Sequence, residues 1–272
     1  MTFSELCKRL KNAGVENDKL EAALLLERFC ERPHSAVDER DYESAELDRA
    51  VKERCAHKPL QYILGKWDFY RQTYFVSPDC LIPRSDTEVL VEEAIRVLPQ
   101  NAYFADLCTG SGCIGISIVC ERPDTNCYAV DKFFSTVCLA NQNAIYHRVQ
   151  DRFCAHEIDL FVDCEMRLSL LARFDAILSN PPYIPSNVIP TLSPEVRAEP
   201  SAALDGGEDG LVFYRKILSF SKFLKPGGLM LLEIGFDQAD AVTKLAKAAG
   251  FSEIRVLKDL GGNDRVVSMR RA

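Results

Sequence analysis

Asp106-Leu107-Cys108-Thr109-Gly110-Ser111-Gly112-Cys113-Ile114-Gly115 is the stretch that decides the fold of this chain. Tyr103–Leu107 ahead of it reads as a short strand, and Gly112–Cys120 reads as a helix. The stretch is therefore a glycine-rich turn from strand to helix. Glycines at such a turn let a ligand approach the backbone, and the helix N-terminus offers free N–H groups. Asp131 stands 19 residues past Gly112, at the end of the next strand. A carboxylate there can accept both hydroxyls of a ribose.

Outward from this turn, strands and helices alternate. Strands are expected at Cys127–Asp131, Phe153–Ile158, Ala176–Asn180 and Leu229–Ile234, with helices at Ser135–Ala144, near 163–171, from about Gly210 to Phe223 and from about Gln238 to Ala249. Phe251–Leu257 and Arg265–Met269 are two closing strands with a short loop between them. The expected fold is α/β: a Rossmann-like, mostly parallel seven-stranded sheet with helices on both faces and a terminal antiparallel hairpin.

The N-terminal part differs. Residues 1–56 read as a small helical domain. Thr2 with Glu5 fits a capping box, with Phe3, Leu6 and Leu10 at helical spacing. A second helix is expected to open at Asn17 or Asp18, to carry Leu20, Leu24, Leu25 and Phe29, and to end near Pro33. A third is expected from Tyr42 to Ala56, with Leu47, Val51 and Cys55 on one face. Residues 57–85 read as a linker, Pro59–Gly65, followed by a β-hairpin of Trp67–Tyr70 and Thr73–Val76. Residues 86–272 form the main domain, which opens with a helix carrying Leu90, Ala94, Val97 and Leu98.

Composition narrows the function classes. A formal net charge of −7 argues against broad nucleic-acid binding. No apolar run approaches the roughly 18 residues of a membrane span. The start Met1–Leu10 reads as a helix rather than a secretion signal, so the eleven cysteines are expected to be reduced, in a cytoplasmic protein. They contain no CxxC pair, and His34, His57, His147 and His156 have no HxxxH or HExxH spacing, so no metal site is expected. Cys108 and Cys113 flank the glycine turn as small packing residues, and the four histidines are read as surface residues.

Two cofactors fit the turn. Gly110-x-Gly112-x-x-Gly115 formally matches the dinucleotide fingerprint. S-adenosylmethionine binds in the same way without a pyrophosphate. Asp106 favours the second: beside a pyrophosphate a buried carboxylate sits poorly, whereas it can pair with an ammonium, directly or through water. Asp159, after the third strand, is placed to reach an adenine amino group.

The second motif is Asn180-Pro181-Pro182-Tyr183, at the end of the fourth strand. Asn180 offers a side-chain acceptor. The prolines stiffen the turn and remove two N–H donors, leaving a backbone carbonyl free to accept. Tyr183 supplies a π face. Together they suit a planar NH₂ group, whether of an adenine or of a side-chain amide. In an open α/β sheet, ligands bind beyond the C-terminal strand ends near the switch point. A methyl donor on the glycine turn would point its methyl towards Asn180–Tyr183.

The combination resembles the class I S-adenosylmethionine-dependent methyltransferases with an N-P-P-Y motif. Further segments extend the likeness: Pro59-x-Gln61-Tyr62-Ile63-x-Gly65, Ile82-Pro83-Arg84-x-Asp86-Thr87-Glu88, Glu199-Pro200, Leu204-x-Gly206-Gly207-x-Asp209-Gly210, Leu224–Gly228, Glu233-Ile234-Gly235 and Asp259-Leu260-Gly261-Gly262-x-Asp264-Arg265. From about residue 57 onwards the chain resembles the peptide-chain release factor glutamine methyltransferases, the protein-(glutamine-N5) methyltransferase or PrmC/HemK family.

The resemblance implies methyl transfer to the glutamine of a release-factor Gly-Gly-Gln loop, with the release factor as protein partner docked by the helical domain. It implies a cofactor site of Asp106, Cys108, Thr109, Gly110, Ser111, Gly112, Asp131, Asp159, Leu160 and Asn180. It implies a substrate site of Asn180, Pro181, Pro182 and Tyr183, with Asn180, Pro181 and Tyr183 in catalytic roles. Relatives usually carry glycine where this chain has Cys108, so either an extended backbone or a slightly displaced loop is expected there. At Leu160 an apolar adenine contact replaces an aromatic one. Arg84 and Glu199 are expected to form a structural ion pair around the site.

Overall fold

The computed structural model describes residues 1–33, 35 and 37–272. Along the chain run α1 (Phe3–Asn12), α2 (Asp18–Cys30), α3 (Ala45–Cys55), α4 (Leu60–Leu64), β1 (Lys66–Phe69) and β2 (Gln72–Phe75). Next come α5 (Glu88–Val97), β3 (Tyr103–Leu107), α6 (Cys113–Glu121), β4 (Asn126–Asp131), α7 (Phe134–Tyr146), β5 (Phe153–Glu157), α8 (Cys164–Ser169) and β6 (Phe174–Ser179). The last are α9 (Pro194–Arg197), α10 (Val212–Leu218), β7 (Leu224–Glu233), α11 (Ala239–Ala248), β8 (Phe251–Lys258) and β9 (Asp264–Arg271). No helix among the described residues is long and apolar enough to cross a membrane.

The chain forms two compact units, residues 1–66 with 192–198, and residues 67–191 with 199–272. In the first, Thr2 and Glu5 close the capping box of α1. Helix α2 buries Ala22, Ala23, Leu25 and Leu26. Leu20, expected on that face, is 59% exposed, because the stripe that packs is set one step around the helix. Helix α3 starts at Ala45 rather than Tyr42, because the Ser44 hydroxyl accepts from the Leu47 amide and caps it there. The expected linker Pro59–Gly65 is instead the short helix α4, ended by Gly65 in the left-handed region. Arg54 is almost fully buried. Its guanidinium donates to Glu21 at 2.5 and 3.0 Å and to Glu195, on α9, at 2.6 Å.

In the second unit, β1 and β2 form the expected hairpin, turned by Tyr70 and Arg71, both at positive φ. The large sheet has the order β5-β4-β3-β6-β7-β9-β8. Its first five strands are parallel, and β9 inserts antiparallel between β7 and β8. The central strands are closed to water on both faces, as the apolar stretches Phe104-Ala105 and Ala176–Leu178 require, and Asp106 is buried with them. Phe104, Leu178 and Leu231 pack on one side with Leu90, Ile116 and Val137 from α5, α6 and α7. Ala105, Leu107 and Ile177 pack on the other with Leu168, Tyr214 and Val242 from α8, α10 and α11.

Two buried polar contacts brace the strand ends. The Ser179 hydroxyl donates to the Leu107 carbonyl at 2.6 Å, joining the ends of β6 and β3. Asn143, on α7, accepts from the Phe75 amide at 2.8 Å and donates to the Ser111 carbonyl at 2.8 Å, so the hairpin is tied to the glycine turn. Expected boundaries otherwise moved by a few residues. The helix expected from Gly210 to Phe223 divides into α10 and a 3₁₀ turn over Ser219–Phe223.

Replacing Arg54 by Ala strands the largely buried Glu21 carboxylate. Loss of one partner of a buried pair costs about 3–5 kcal/mol. The Arg54→Ala chain is expected to lose its helical signal at lower urea concentration than the parent, as read by circular dichroism; coincident curves would contradict the pairing.

Candidate active site

The glycine turn is held from behind by Asp106. This residue is fully buried; its Oδ2 accepts from the Thr109 hydroxyl at 2.6 Å and from the Gly115 amide at 3.1 Å. Burial pushes its carboxyl up to about 7, against the pull of those two donors. The carboxylate therefore serves the turn, and Oδ1 is buried with no hydrogen-bond partner. Asp106 lies behind the turn rather than in the lining of the cavity.

Cys108 corrects an expectation. Its φ is +59°, in the left-handed region rather than extended. The turn demands this conformation, because the next amide, Thr109, must rejoin the sheet by donating to the Val130 carbonyl at 3.0 Å. A non-glycine residue there costs about 1–2 kcal/mol. Gly112 opens α6 at φ +82°, where a Cβ would lie 2.9 Å from Ile116 Cδ1. Asp131 faces the same turn: Oδ2 accepts from the Gly110 amide at 3.0 Å and Oδ1 from the Phe133 amide at 3.3 Å.

A cavity of about 410 Å³ opens beyond the ends of β3, β4, β5 and β6. That size suits a nucleoside-containing ligand. Of the expected cofactor residues, Cys108, Gly110, Ser111, Asp131, Asp159, Leu160 and Asn180 form its wall. Thr109 and Gly112 stand behind the wall with Asp106. Of the substrate motif, Asn180 and Pro182 reach the cavity, while Pro181 is buried and Tyr183 partly buried behind it. Asp159 is engaged, with Lys132 Nζ at 3.0 Å and the Phe161 amide donating at 2.8 Å. Phe161 adds an aromatic wall beside Leu160, set edge-on against Phe213. His147 and His156 are half-buried rather than on the surface: His147 Nε2 lies 2.9 Å from the Thr73 carbonyl and His156 stacks on Tyr128. His34 lies outside the described residues.

The other motifs converge behind Asn180–Tyr183. Glu199 and Arg84 form the expected ion pair, and the second Glu199 oxygen accepts from the Ile82 amide at 3.0 Å. Residues 204–206 run beside the motif: the Ile184 amide donates to the Leu204 carbonyl at 3.0 Å, and the Gly206 amide donates to the Ile184 carbonyl at 2.9 Å. A Cβ on Gly206 would fall 2.7 Å from Tyr183 Cα. Gln238 Nε2 donates to the Tyr183 carbonyl at 2.9 Å. Arg265 bridges Asp259 at 3.0 Å and Asp86 at 3.4 Å. Two groups escaped the reading of individual residues. Thr87 Oγ1 accepts from Asn180 Nδ2 at 3.2 Å, and the Tyr183 hydroxyl lies 3.5 Å from Glu233 Oε1. Both sit inside segments already quoted, Ile82–Glu88 and Glu233–Gly235, and their order along the chain was the available signal.

Residues 3–65 match the PrmC N-terminal domain, and residues 85–227 match the methyltransferase small domain. A release factor glutamine methyltransferase of Geobacter sulfurreducens is 40% identical over 269 residues, covering 96% of this chain and 92% of that protein. Another, from Caulobacter vibrioides, is 37% identical over 269 residues, covering 95% and 91%. The chain belongs to the release factor glutamine methyltransferase family. In fold alone, it is also similar to a methyltransferase of Pyrococcus furiosus, with a TM-score of 0.53 at 15% identity over 73% of this chain and 88% of that one.

Seen as a member of the release factor glutamine methyltransferases, the chain uses its scattered motifs to back one tetrapeptide. Gly206 is one of the tightest of these supports. Gly206→Ala is expected to displace Tyr183 and to reduce methyl transfer strongly, while affinity for S-adenosylhomocysteine stays near that of the parent. Calorimetric titration beside an activity assay checks both, and full activity in this variant would contradict the close approach.

Proposed function

We propose that this chain transfers a methyl group from S-adenosyl-L-methionine to the side-chain amide nitrogen, N5, of the glutamine in the Gly-Gly-Gln loop of a peptide-chain release factor, so modulating translation termination. The observation that carries the reading is the position of Asn180 in the wall of the same cavity that holds Asp131 and the glycine turn.

The residues fit the donor. Each oxygen of Asp131 takes one backbone amide and keeps lone pairs for ribose hydroxyls. Leu160 and Phe161 offer an apolar wall to an adenine, and Asp159 stands beside them. Gly110 has open space where a side chain would otherwise begin. When bound, S-adenosylmethionine supplies a methyl group on a positively charged sulfur, a carrier activated for attack by a neutral nitrogen.

An amide nitrogen is a poor nucleophile because its lone pair is delocalised; a peptide C–N rotation barrier of about 18–20 kcal/mol gives the scale. The protein must therefore contribute position and exclusion of water. Asn180 uses Nδ2 towards Thr87, which turns Oδ1 to the role of acceptor for one substrate N–H. We assign the second N–H to the Pro181 carbonyl and packing on the amide plane to Pro182 and Tyr183. The tetrapeptide contains no strong base, so the proton leaves after the C–N bond forms.

We assign docking of the release factor to the helical domain, residues 1–56, joined through residues 57–85 to a methyltransferase domain over residues 86–272. The net charge of −7 agrees with a protein rather than a nucleic-acid substrate. This role places the protein in the cytoplasm, where release factors act.

Radiolabel from S-adenosylmethionine is expected to enter a purified release factor and not a version with the loop glutamine replaced. Label in DNA instead would overturn the substrate assignment. Asn180→Ala is expected to lower kcat by about 10²–10³, the scale of losing one preorganised hydrogen bond to a reacting group, with donor affinity largely kept. An unchanged kcat would remove Asn180 from the mechanism.

A further inference from the structure

We infer that the Asp205 carboxylate accepts a backbone N–H from a glycine beside the acceptor glutamine, and so selects the Gly-Gly-Gln loop. This rests on the proposed function and names the group that reads the loop next to the methylated side chain.

A Gly-Gly-Gln loop offers few side chains to recognise. The only polar groups of its glycines are the backbone N–H and C=O. What glycine does permit is close approach, because no Cβ holds its backbone off a neighbouring surface. A site for such a loop needs a wall of small or apolar residues with a fixed polar group set in it.

The stretch of residues 199–207 builds such a wall. Pro200, Ala202, Ala203, Asp205 and Gly207 line the cavity, and of these Asp205 has the polar side chain. Its place follows from the backbone. Asp205 and Ile184 form a parallel bridge, flanked by the Ile184–Leu204 and Gly206–Ile184 hydrogen bonds. Strand spacing sets the two backbones about 4.8 Å apart, one residue beyond Tyr183. Asp205 thus stands with the Asn180–Tyr183 motif, on the acceptor side of the cavity.

Its carboxylate is held in advance. The Asp205 amide donates to the Ser201 carbonyl at 2.9 Å. Oδ1 accepts from the Ser186 hydroxyl at 2.7 Å and from the Gly207 amide at 2.8 Å. Both donors fall on that one oxygen, and among the described residues none falls on Oδ2. The residue is half-buried, so Oδ2 is an acceptor within reach of a ligand. Fixing the side chain before binding removes part of the ordering cost of the contact.

The ligand supplies the matching donor. With the glutamine NH₂ given to Asn180 and the Pro181 carbonyl, the nearest remaining donors are the backbone N–H groups of the flanking glycines. An adenine in a nucleic acid would instead bring phosphates to this wall, and a carboxylate repels them. Asp205 therefore favours a peptide over a nucleotide where Asn180–Tyr183 alone accepts either.

The test is steady-state methylation of a purified release factor by the parent and Asp205→Asn, with S-adenosylhomocysteine binding measured beside it. Asparagine keeps Oδ1 for Ser186 and Gly207 but puts an NH₂ donor where Oδ2 stood. Asp205→Asn is expected to raise KM by about tenfold, the scale of a hydrogen bond to a carboxylate, with kcat and S-adenosylhomocysteine affinity largely kept. Synthetic Gly-Gly-Gln peptides, with each glycine in turn replaced by sarcosine to remove its N–H, serve as competitors of the release factor. One sarcosine peptide is expected to compete about tenfold more weakly than the glycine peptide against the parent, and about equally against Asp205→Asn. Parental KM in a folded Asp205→Asn overturns the inference, as does a loss of S-adenosylhomocysteine affinity, which would assign Asp205 to the donor. If Asp205→Asn does not fold, the parent decides: equal competition by all three peptides overturns the inference. In each of these cases the proposed function stands. A parent that methylates no glutamine overturns the proposed function and the inference with it.

Discussion

The parallel pairing of β3 with β6 is the constraint on which the site depends. It places the two chemically informative turns side by side at the switch of the sheet: β3 is flanked by β4 and β6, and connections on its two sides diverge. The Ser179–Leu107 hydrogen bond clasps the two strand ends just before the turns begin. Donor-side and acceptor-side groups thereby share one cavity without a flexible element between them.

Around that clasp the chain places little chemistry and much support. Asp106 spends its charge inside the glycine turn, where Thr109 and Gly115 hold it. Glu199 and Gly206 come from one stretch and Gln238 and Arg265 from two later ones: Glu199 accepts from Ile82, Gly206 and Gln238 meet Tyr183, and Arg265 pairs with Asp86. This arrangement suits a reaction whose nucleophile is weak and whose donor is already activated. Position is the contribution left to the protein, and position needs buttresses.

Much of this was legible in the sequence because it rests on local patterns. Alternating strands and helices gave the sheet, and Asp131 and the glycines gave the turn. What was not legible depended on tertiary packing. Pro59–Gly65 lacks the length for a helical period, so α4 went unseen. Leu20 fits a helical stripe, but the neighbouring alanines pack closer. Cys108 takes a glycine-like φ because the Thr109–Val130 bond outweighs its local preference. Asp106 could be placed on its strand but not aimed, since its direction depends on where α6 begins. Thr87 and Glu233 carry no local signal: Thr87 meets Asn180 only through tertiary packing, and Glu233 lies on the neighbouring strand end only through the pairing of β6 with β7.

A crystal structure of the full chain with S-adenosylhomocysteine and a peptide containing Gly-Gly-Gln tests the central claim most directly. The account predicts the ribose on Asp131 and the glutamine NH₂ hydrogen-bonded to Asn180 Oδ1. It places the amide nitrogen facing the sulfur across the junction of the β3 and β6 turns. A glutamine amide held away from Asn180, or one that meets its Nδ2 instead, would contradict it.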